Sequence, residues 1–296
     1  MKFGVNILNF GPETGPAVLR QWAVTAESLG YHFVMLSDHV AVTIDVQERY
    51  PTPFYEPFTS LAWLAGITQK VELGTTVAIL PYRHPLLTAR ITANLDQLSG
   101  GRFIFGVGAG WAKREFQALG VPFEQRGAIS DEYLSVIKDC WVRDVVSGVW
   151  TGPPPARRPH PPVWVGGSSE RALRRAVRYG DAWHPIHSRL RWLKEDGIPR
   201  LQQLADTEGK RAPAFCPRID LQVTKERLDE ATRFPGQGTL DQIRSDIEAL
   251  ALMGAQYVLF DTYLGKTGAR RSSEADIAMF TTLAERVLDL GRQTLR

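Results

Sequence analysis

Short apolar stretches alternate along this chain with longer segments whose apolar residues recur at helical spacing. The segments with strand character are 3–8, 33–36, 71–80, 102–107, 162–165, 182–184, 218–223 and 256–260, and the clearest helical patterns are 16–29, 130–147 and 170–179. Strands that alternate with helices favour βα units and a parallel sheet. Eight such strands in 296 residues predict an α/β protein, a (β/α)8 TIM barrel formed as a single domain over 1–296.

Ser37-Asp38-His39 stands directly after the apolar run 33–36. In a (β/α)8 barrel the active site is built at the carboxyl ends of the strands, so a hydroxyl, a carboxylate and an imidazole at such an end are candidate catalytic groups. The alternative is that Asp38 caps the following helix and His39 lies in an ordinary loop. Extended connections at 40–58, 224–239 and 262–275 would surround the same mouth.

Two further strands carry glycine-rich segments. Gly74-Thr75-Thr76-Val77 lies within 71–80, where a strand-interior glycine indicates either a bulge that faces a ligand or local sheet curvature. Gly108-Ala109-Gly110-Trp111 follows 102–107. Its GxGxG spacing does not match the GxGxxG dinucleotide fingerprint, and small residues there are better suited to the approach of a flat ring.

An anion site is predicted where Val165-Gly166-Gly167-Ser168-Ser169 leads into the helical segment 170–179. Glycine amides can approach a phosphate, and the positive end of the helix favours negative charge. Arg171 and Arg174 or Arg175 would reinforce such a site. An ordinary turn with a serine cap is the structural alternative.

Composition narrows the class of protein. Hydrophobic residues make up 44%, charged residues 23%, and the net charge is +3, without a basic stripe that would indicate nucleic-acid binding. The two cysteines, Cys140 and Cys216, form no CxxC motif, and the six histidines show no HExxH or HxH spacing, so neither a disulfide framework nor a metal site is expected. No leader pattern or bilayer-length apolar run is present, which favours a cytoplasmic protein without a membrane partner.

Four segments together resemble the bacterial luciferase-like family of flavin and deazaflavin oxidoreductases. They are Ser37-Asp38-His39; Leu73-Gly74-Thr75-Thr76-Val77; Gly106 to Trp111 with Glu115-Phe116; and Val163 to Ser169 with Gly180-Asp181-Ala182-Trp183. The resemblance covers nearly the whole chain and is greatest to the branch that uses coenzyme F420, an 8-hydroxy-5-deazaflavin. It therefore implies a luciferase-like barrel and a cofactor-dependent oxidoreductase.

The resemblance also implies roles for individual residues. Asp38 and His39 would be catalytic and would contact the deazaflavin, with His39 near the carbon that transfers hydride. Gly74, Thr75, Thr76 and Val77 would form a bulge beneath the ring, with a cis peptide bond at Thr76–Val77. Gly108, Ala109, Gly110 and Trp111 would line the ring edge or tail, Val165, Gly166, Gly167, Ser168 and Ser169 would hold the phosphate, and Arg270 and Arg271 would suit an acidic polyglutamate tail.

The chain departs from the pattern of the F420-dependent enzymes that it resembles at two positions. Sugar-phosphate and alcohol dehydrogenases of that branch place a carboxylic acid where Trp111 stands, and an aromatic residue where Val42-Thr43 stands. Reduction of an activated alkene, imine or carbonyl is therefore as plausible as alcohol oxidation. The expected function is hydride transfer between coenzyme F420 and a small organic substrate in a homodimer. An FMNH2-dependent monooxygenase and a non-catalytic flavin-binding protein are the alternatives.

Overall fold

The computed structural model describes residues 1–265 and 271–296. The strands are β1 Lys2–Asn6, β2 Phe33–Leu36, β3 Glu72–Thr75, β4 Ala78–Ile79, β5 Phe103–Gly108, β6 Val145–Val146, β7 Val149–Trp150, β8 Val163–Gly166, β9 Ala182–His184, β10 Ala214–Phe215, β11 Arg218–Asp220, β12 Gln222–Val223, β13 Gln237–Gly238, β14 Tyr257–Asp261, β15 Leu288–Asp289 and β16 Thr294–Leu295. The α-helices are α1 Pro16–Leu29, α2 Ile44–Gln47, α3 Pro57–Ile67, α4 Pro85–Leu98, α5 Lys113–Ala118, α6 Arg126–Val142, α7 Glu170–Tyr179, α8 Leu190–Trp192, α9 Ile198–Thr207, α10 Leu240–Leu252 and α11 Ser273–Arg286.

Parallel strands form the predicted barrel. Hydrogen-bonded neighbours run in the order β10, β9, β8, β5, β3, β2, β1, β14, β11. The two ends of this order, β10 and β11, follow one another along the chain, and Pro217 interrupts the ladder between them. Parallel bridges from Ile186 to Arg218 and from Phe215 to Ala255 close the circle. The (β/α)8 fold class is confirmed.

Two apolar layers stabilise the barrel. The barrel interior holds Phe33, Met35, Ile104, Trp164, Ala182, Cys216 and Leu259, and a larger layer lies between the strands and the surrounding helices. Helix α1 illustrates the outer layer: Pro16 starts it, Gly30 ends it in the left-handed region, and Leu19, Trp22 and Ala26 are buried. No helix in the described ranges combines the length and apolar character that crossing a bilayer requires.

Several predicted elements differ from those observed. The strand predicted over 3–8 is shorter, and those predicted over 71–80 and 218–223 are each divided in two. The helix predicted over 130–147 is wrong at both ends, because α6 runs Arg126–Val142 and the chain then forms the β6–β7 hairpin. Ser147 and Gly148 both have positive φ in that turn, which no helix can accommodate.

Candidate active site

The candidate site is a cavity of about 160 Å³ at the carboxyl ends of the barrel strands. Its lining comprises Ser37, Asp38, His39, Tyr50, Thr76, Val77, Ile79, Trp111, Gly166, Gly167, His184, Ile186 and Arg218. Seven residues expected from the sequence are among them: Asp38, His39, Thr76, Val77, Trp111, Gly166 and Gly167. The tertiary structure therefore joins the ends of β2, β3, β5 and β8 in one place.

The bulge expected after β3 forms one wall of this cavity. The peptide bond between Thr76 and Val77 is cis, as predicted. Val77 then lies against two glycines, since a Cβ at Gly108 would approach its Cγ2 to 2.6 Å and one at Gly166 would approach its Cγ1 to 3.1 Å. The missing side chain of Gly108 therefore leaves the space that Val77 of the bulge occupies. A Cβ at Gly110, with φ +82°, would likewise meet Ile79 and Phe116.

Other predicted cofactor residues lie away from the cavity. Gly74 packs inside the barrel, where a Cβ would stand 2.7 Å from the Cε of Met35. The hydroxyl of Thr75 donates to the Gly106 carbonyl at 2.6 Å, and Val165 is fully buried in the core. Ala109, Ser168 and Ser169 lie outside the cavity lining.

Asp38 and His39 have different partners. The Asp38 carboxylate accepts hydrogen bonds from both terminal nitrogens of Arg83, at 2.7 and 2.8 Å, and from the Ile79 amide at 2.9 Å. These contacts tie the end of β2 to the segment after β3. His39 instead contacts Glu115 of α5, with Nδ1 and Oε2 2.6 Å apart. Glu115 lies 76 positions from His39 and has no role among those predicted from the sequence.

Three aromatic rings lie close to the His39 ring. Its ring centroid lies 5.2 Å from that of Tyr50, 5.4 Å from that of Phe54 and 5.8 Å from that of Trp111. The Arg49 guanidinium stacks over Trp111 at 4.9 Å, and the Tyr263 hydroxyl donates to the Arg49 carbonyl. The loops after β2 and β14 therefore meet above the cavity.

A second polar group, built around His184 and Arg218, forms the opposite wall. His184 Nδ1 lies 2.5 Å from the Cys216 carbonyl, which fixes that nitrogen as the donor, and its Nε2 lies 3.0 Å from the Thr76 hydroxyl. Arg218 donates to the Thr76 carbonyl at 2.8 Å and pairs with the buried carboxylate of Asp261. The pKa of His184 is lowered to about 4, mainly by burial and to a smaller extent by the nearby Arg218 charge, while the hydrogen bond to the Cys216 carbonyl opposes the shift.

The turn before α7 has some, but not all, of the features that the sequence predicts for an anion site. Gly167 has a φ of +103°, and the Ser169 hydroxyl caps the helix by accepting from the Ala172 amide. Arg175 faces away, buried between α6 and α7, where it binds Asp131 and the Gly127 carbonyl. Arg174 pairs with Glu170 at the exposed surface of α7, and reinforcement of the turn by Arg171 and Arg174 stays a prediction.

The rim expected to hold an acidic tail is only partly described. Arg271 donates to the Thr262 carbonyl at 3.1 Å and pairs with Asp276 at 3.3 Å. Arg270 lies outside the described residues. The arginine that the structure does describe is thus engaged by this chain's own groups.

The luciferase-like monooxygenase family matches residues 1–254. This chain belongs to that family. Pyrimidine monooxygenase RutA of Allorhizobium ampelinum is 30% identical over 68% of this chain and 57% of its own length. The FMNH2-dependent dimethylsulfone monooxygenase of Pseudomonas putida is 29% identical over 56% of this chain and 47% of its own.

The fold is also similar to that of a solved F420-dependent secondary alcohol dehydrogenase. The TM-score is 0.77 at 17% identity, over 94% of this chain and 96% of the other. The resemblance to the luciferase-like family is therefore confirmed, and the chain is an oxidoreductase of this monooxygenase family. The relatives include users of both cofactors.

Proposed function

We propose that this protein is a coenzyme F420-dependent oxidoreductase that transfers a hydride between the deazaflavin and a small organic substrate. The observation that carries the proposal is the buried His39–Glu115 pair, whose imidazole lines the cavity beside the Thr76–Val77 bulge. When bound, the deazaflavin would supply the hydride chemistry itself. The protein must then bind the substrate, exclude water and move the proton that accompanies the hydride, and His39 is suited to this proton transfer.

The residues present fit a phosphate-bearing flavin-type cofactor. A Cβ at Gly167 would stand 3.0 Å from the Cβ of Ala172. The backbone φ of Gly167 is also one that residues with a side chain rarely adopt, so the position favours glycine. The amides of Gly166, Gly167 and Ser168 precede the amino end of α7, where the helix dipole favours an anion. Thr76 and Val77 would contact the ring.

Cofactor binding also requires the mouth to widen. Ligand pockets usually measure about 300–1,000 Å³, whereas this cavity measures about 160 Å³. Tyr50 and Trp111 line it from the loops after β2 and β5. Displacement of these two side chains would enlarge it without any change in the barrel.

An FMNH2-dependent monooxygenase is the second candidate. The specific observation in its favour is that the curated relatives RutA and dimethylsulfone monooxygenase are both named as monooxygenases. The amino end of α7 would accept the phosphate of either cofactor, so this part of the site does not discriminate between them.

Titration of the purified protein with coenzyme F420 and with FMN, followed by fluorescence, tests the proposal. We expect micromolar binding of coenzyme F420. Gly167→Ala should weaken it at least about tenfold, the equivalent of about 1.4 kcal/mol of binding free energy. Gly209→Ala is the matched control, because Gly209 also has positive φ (+61°) but meets nothing within 4 Å of its Cβ position. Micromolar FMN binding without F420 binding would overturn the proposal and favour the monooxygenase.

A further inference from the structure

Glu115 is fully buried and accepts hydrogen bonds at both carboxylate oxygens. Oε1 accepts from the amides of Val40 and Ala41, at 2.6 and 3.0 Å. Oε2 accepts from the Tyr82 hydroxyl at 2.9 Å and lies 2.6 Å from His39 Nδ1. This side chain therefore joins the loop after β2, the turn after β4 and helix α5 at one point.

These contacts determine which nitrogen of His39 carries the proton in the neutral ring. A carboxylate that already accepts from two amides and a hydroxyl has no hydrogen to donate, so His39 Nδ1 must be the donor. The proton on Nδ1 leaves the lone pair on Nε2. That nitrogen has no hydrogen-bond partner within the described part of the chain, and His39 lines the cavity.

Asp38 does not perform this task, although it is adjacent to His39 in the sequence. Its two oxygens are occupied by Arg83 and by the Ile79 amide. The other groups near the imidazole are the rings of Tyr50, Phe54 and Trp111, none of which contributes a carboxylate. In the described ranges, Glu115 is thus the carboxylate that contacts this imidazole.

We infer that Glu115 is a positioning residue that holds the proton on His39 Nδ1 and presents the Nε2 lone pair to the substrate. The kinetic part of this inference rests on the proposed function, whereas the tautomer does not. In the oxidative direction, an alcohol would lose its hydride to the oxidised deazaflavin and its hydroxyl proton to Nε2, leaving a carbonyl group. Glu115 would then be the counter-charge for the imidazolium. Reduction of a carbonyl reverses these transfers.

Glu115→Gln is the informative variant because it keeps the volume but replaces one acceptor oxygen by a donor. With its oxygen turned to the Val40 and Ala41 amides, the new amide group must donate to His39 Nδ1. The ring proton should therefore move to Nε2. Long-range ¹H–¹⁵N spectra of the imidazole at a pH where the ring is neutral distinguish the two tautomers, and His39→Asn identifies the His39 signals by their loss.

Tyr82→Phe is the matched control, since it removes a donor from the same Oε2 atom and leaves the carboxylate in place. We expect Nδ1–H in the wild type and in Tyr82→Phe, and Nε2–H in Glu115→Gln. An Nε2–H wild-type ring would overturn the inference, even if Glu115→Gln did not fold. Unchanged Nδ1–H in the folded Glu115→Gln variant would also overturn it.

The kinetic arm uses reduced coenzyme F420 with cyclohex-2-enone as the probe acceptor. For Glu115→Gln we expect kcat to fall about a hundredfold, the scale of general acid–base catalysis, with KM and cofactor affinity within about threefold. A shifted tautomer with unchanged kcat would overturn the positioning role. Absence of F420 binding or of wild-type turnover would count against the proposed function and would leave the spectroscopic result to decide the tautomer.

Discussion

The two walls of the cavity each carry a histidine, and their surroundings differ. His39 lies 2.6 Å from the carboxylate of Glu115 and is surrounded by aromatic rings near the mouth. His184 is fully enclosed, donates to a backbone carbonyl and has the Arg218 guanidinium nearby. Neighbouring charge, rather than residue type, therefore distinguishes a ring suited to proton transfer from one that forms part of the wall.

The largest expected effect is the difference in turnover between variants of the two histidines. His39→Asn should reduce kcat by about 10²- to 10⁴-fold, the usual contribution of a general acid or base, and should leave cofactor affinity largely intact. His184→Gln, which replaces the ring by a neutral amide, should reduce kcat much less. Stopped-flow oxidation of reduced coenzyme F420 measures both variants. Equal losses of kcat in the two variants would show that the two histidines do not have different roles in turnover.

The next largest effect concerns the Arg218–Asp261 ion pair, which lies in the same wall of the cavity as His184. Arg218→Met leaves Asp261 buried without its cation and should lower the free energy of unfolding by about 3–5 kcal/mol in urea titrations. Arg233→Met is the matched control, because Arg233 also pairs with a buried carboxylate, that of Asp246, outside the cavity lining.

Both arginine variants should be destabilised, but only Arg218→Met should raise the pKa of His184, because it removes the cation that lowers this pKa. An NMR titration of the His184 ring measures the difference. The same His184 titration in both variants would contradict the electrostatic account of this wall.

The smallest effect is the pH dependence of stability. The pKa of folded His184 is about 4, below its ordinary value of 6.5. The unfolded chain therefore binds more protons between these values, and stability falls as the pH drops from 6.5 towards 4. The contribution is about 3 kcal/mol across this window.

Urea unfolding of wild type and His184→Gln at several pH values measures this contribution. The variant should show a shallower loss of stability on acidification. His187→Gln is the control, since its side chain is 48% exposed. A slope unchanged in His184→Gln but reduced in His187→Gln would assign the pH dependence to the exposed histidine.

Helices α1 and α7 have the bounds that the sequence predicts, because strong local signals mark where they begin or end. Helix α1 has a proline at its start and Gly30 at its end, and α7 starts after the Ser169 cap. Helix α6 has no side-chain hydrogen bond at its amino cap, and its apolar pattern continues into the β6–β7 hairpin. Periodicity alone therefore placed both of its ends wrongly.

The site was predictable where residues follow a strand directly. His39 and Gly167 were located from strand ends, and Thr76–Val77 from a glycine within a strand and the family resemblance. Glu115 and Arg218 were missed because neither belongs to a strand-end motif that was assigned chemistry. Glu115 lies in the short helix α5, and Arg218 begins a strand that follows a proline.

The sequence by itself determined the alternation of strands and helices, and with it the barrel and the edge at which its chemistry is displayed. Local preferences and apolar periodicity are sufficient for this because they act over a few neighbouring residues. Only the tertiary structure decided the partners: Glu115 for His39 across 76 positions, and Arg218 for Thr76 across 142. Such pairs depend on how the strands close into a circle, and the direction of each side chain follows from that packing.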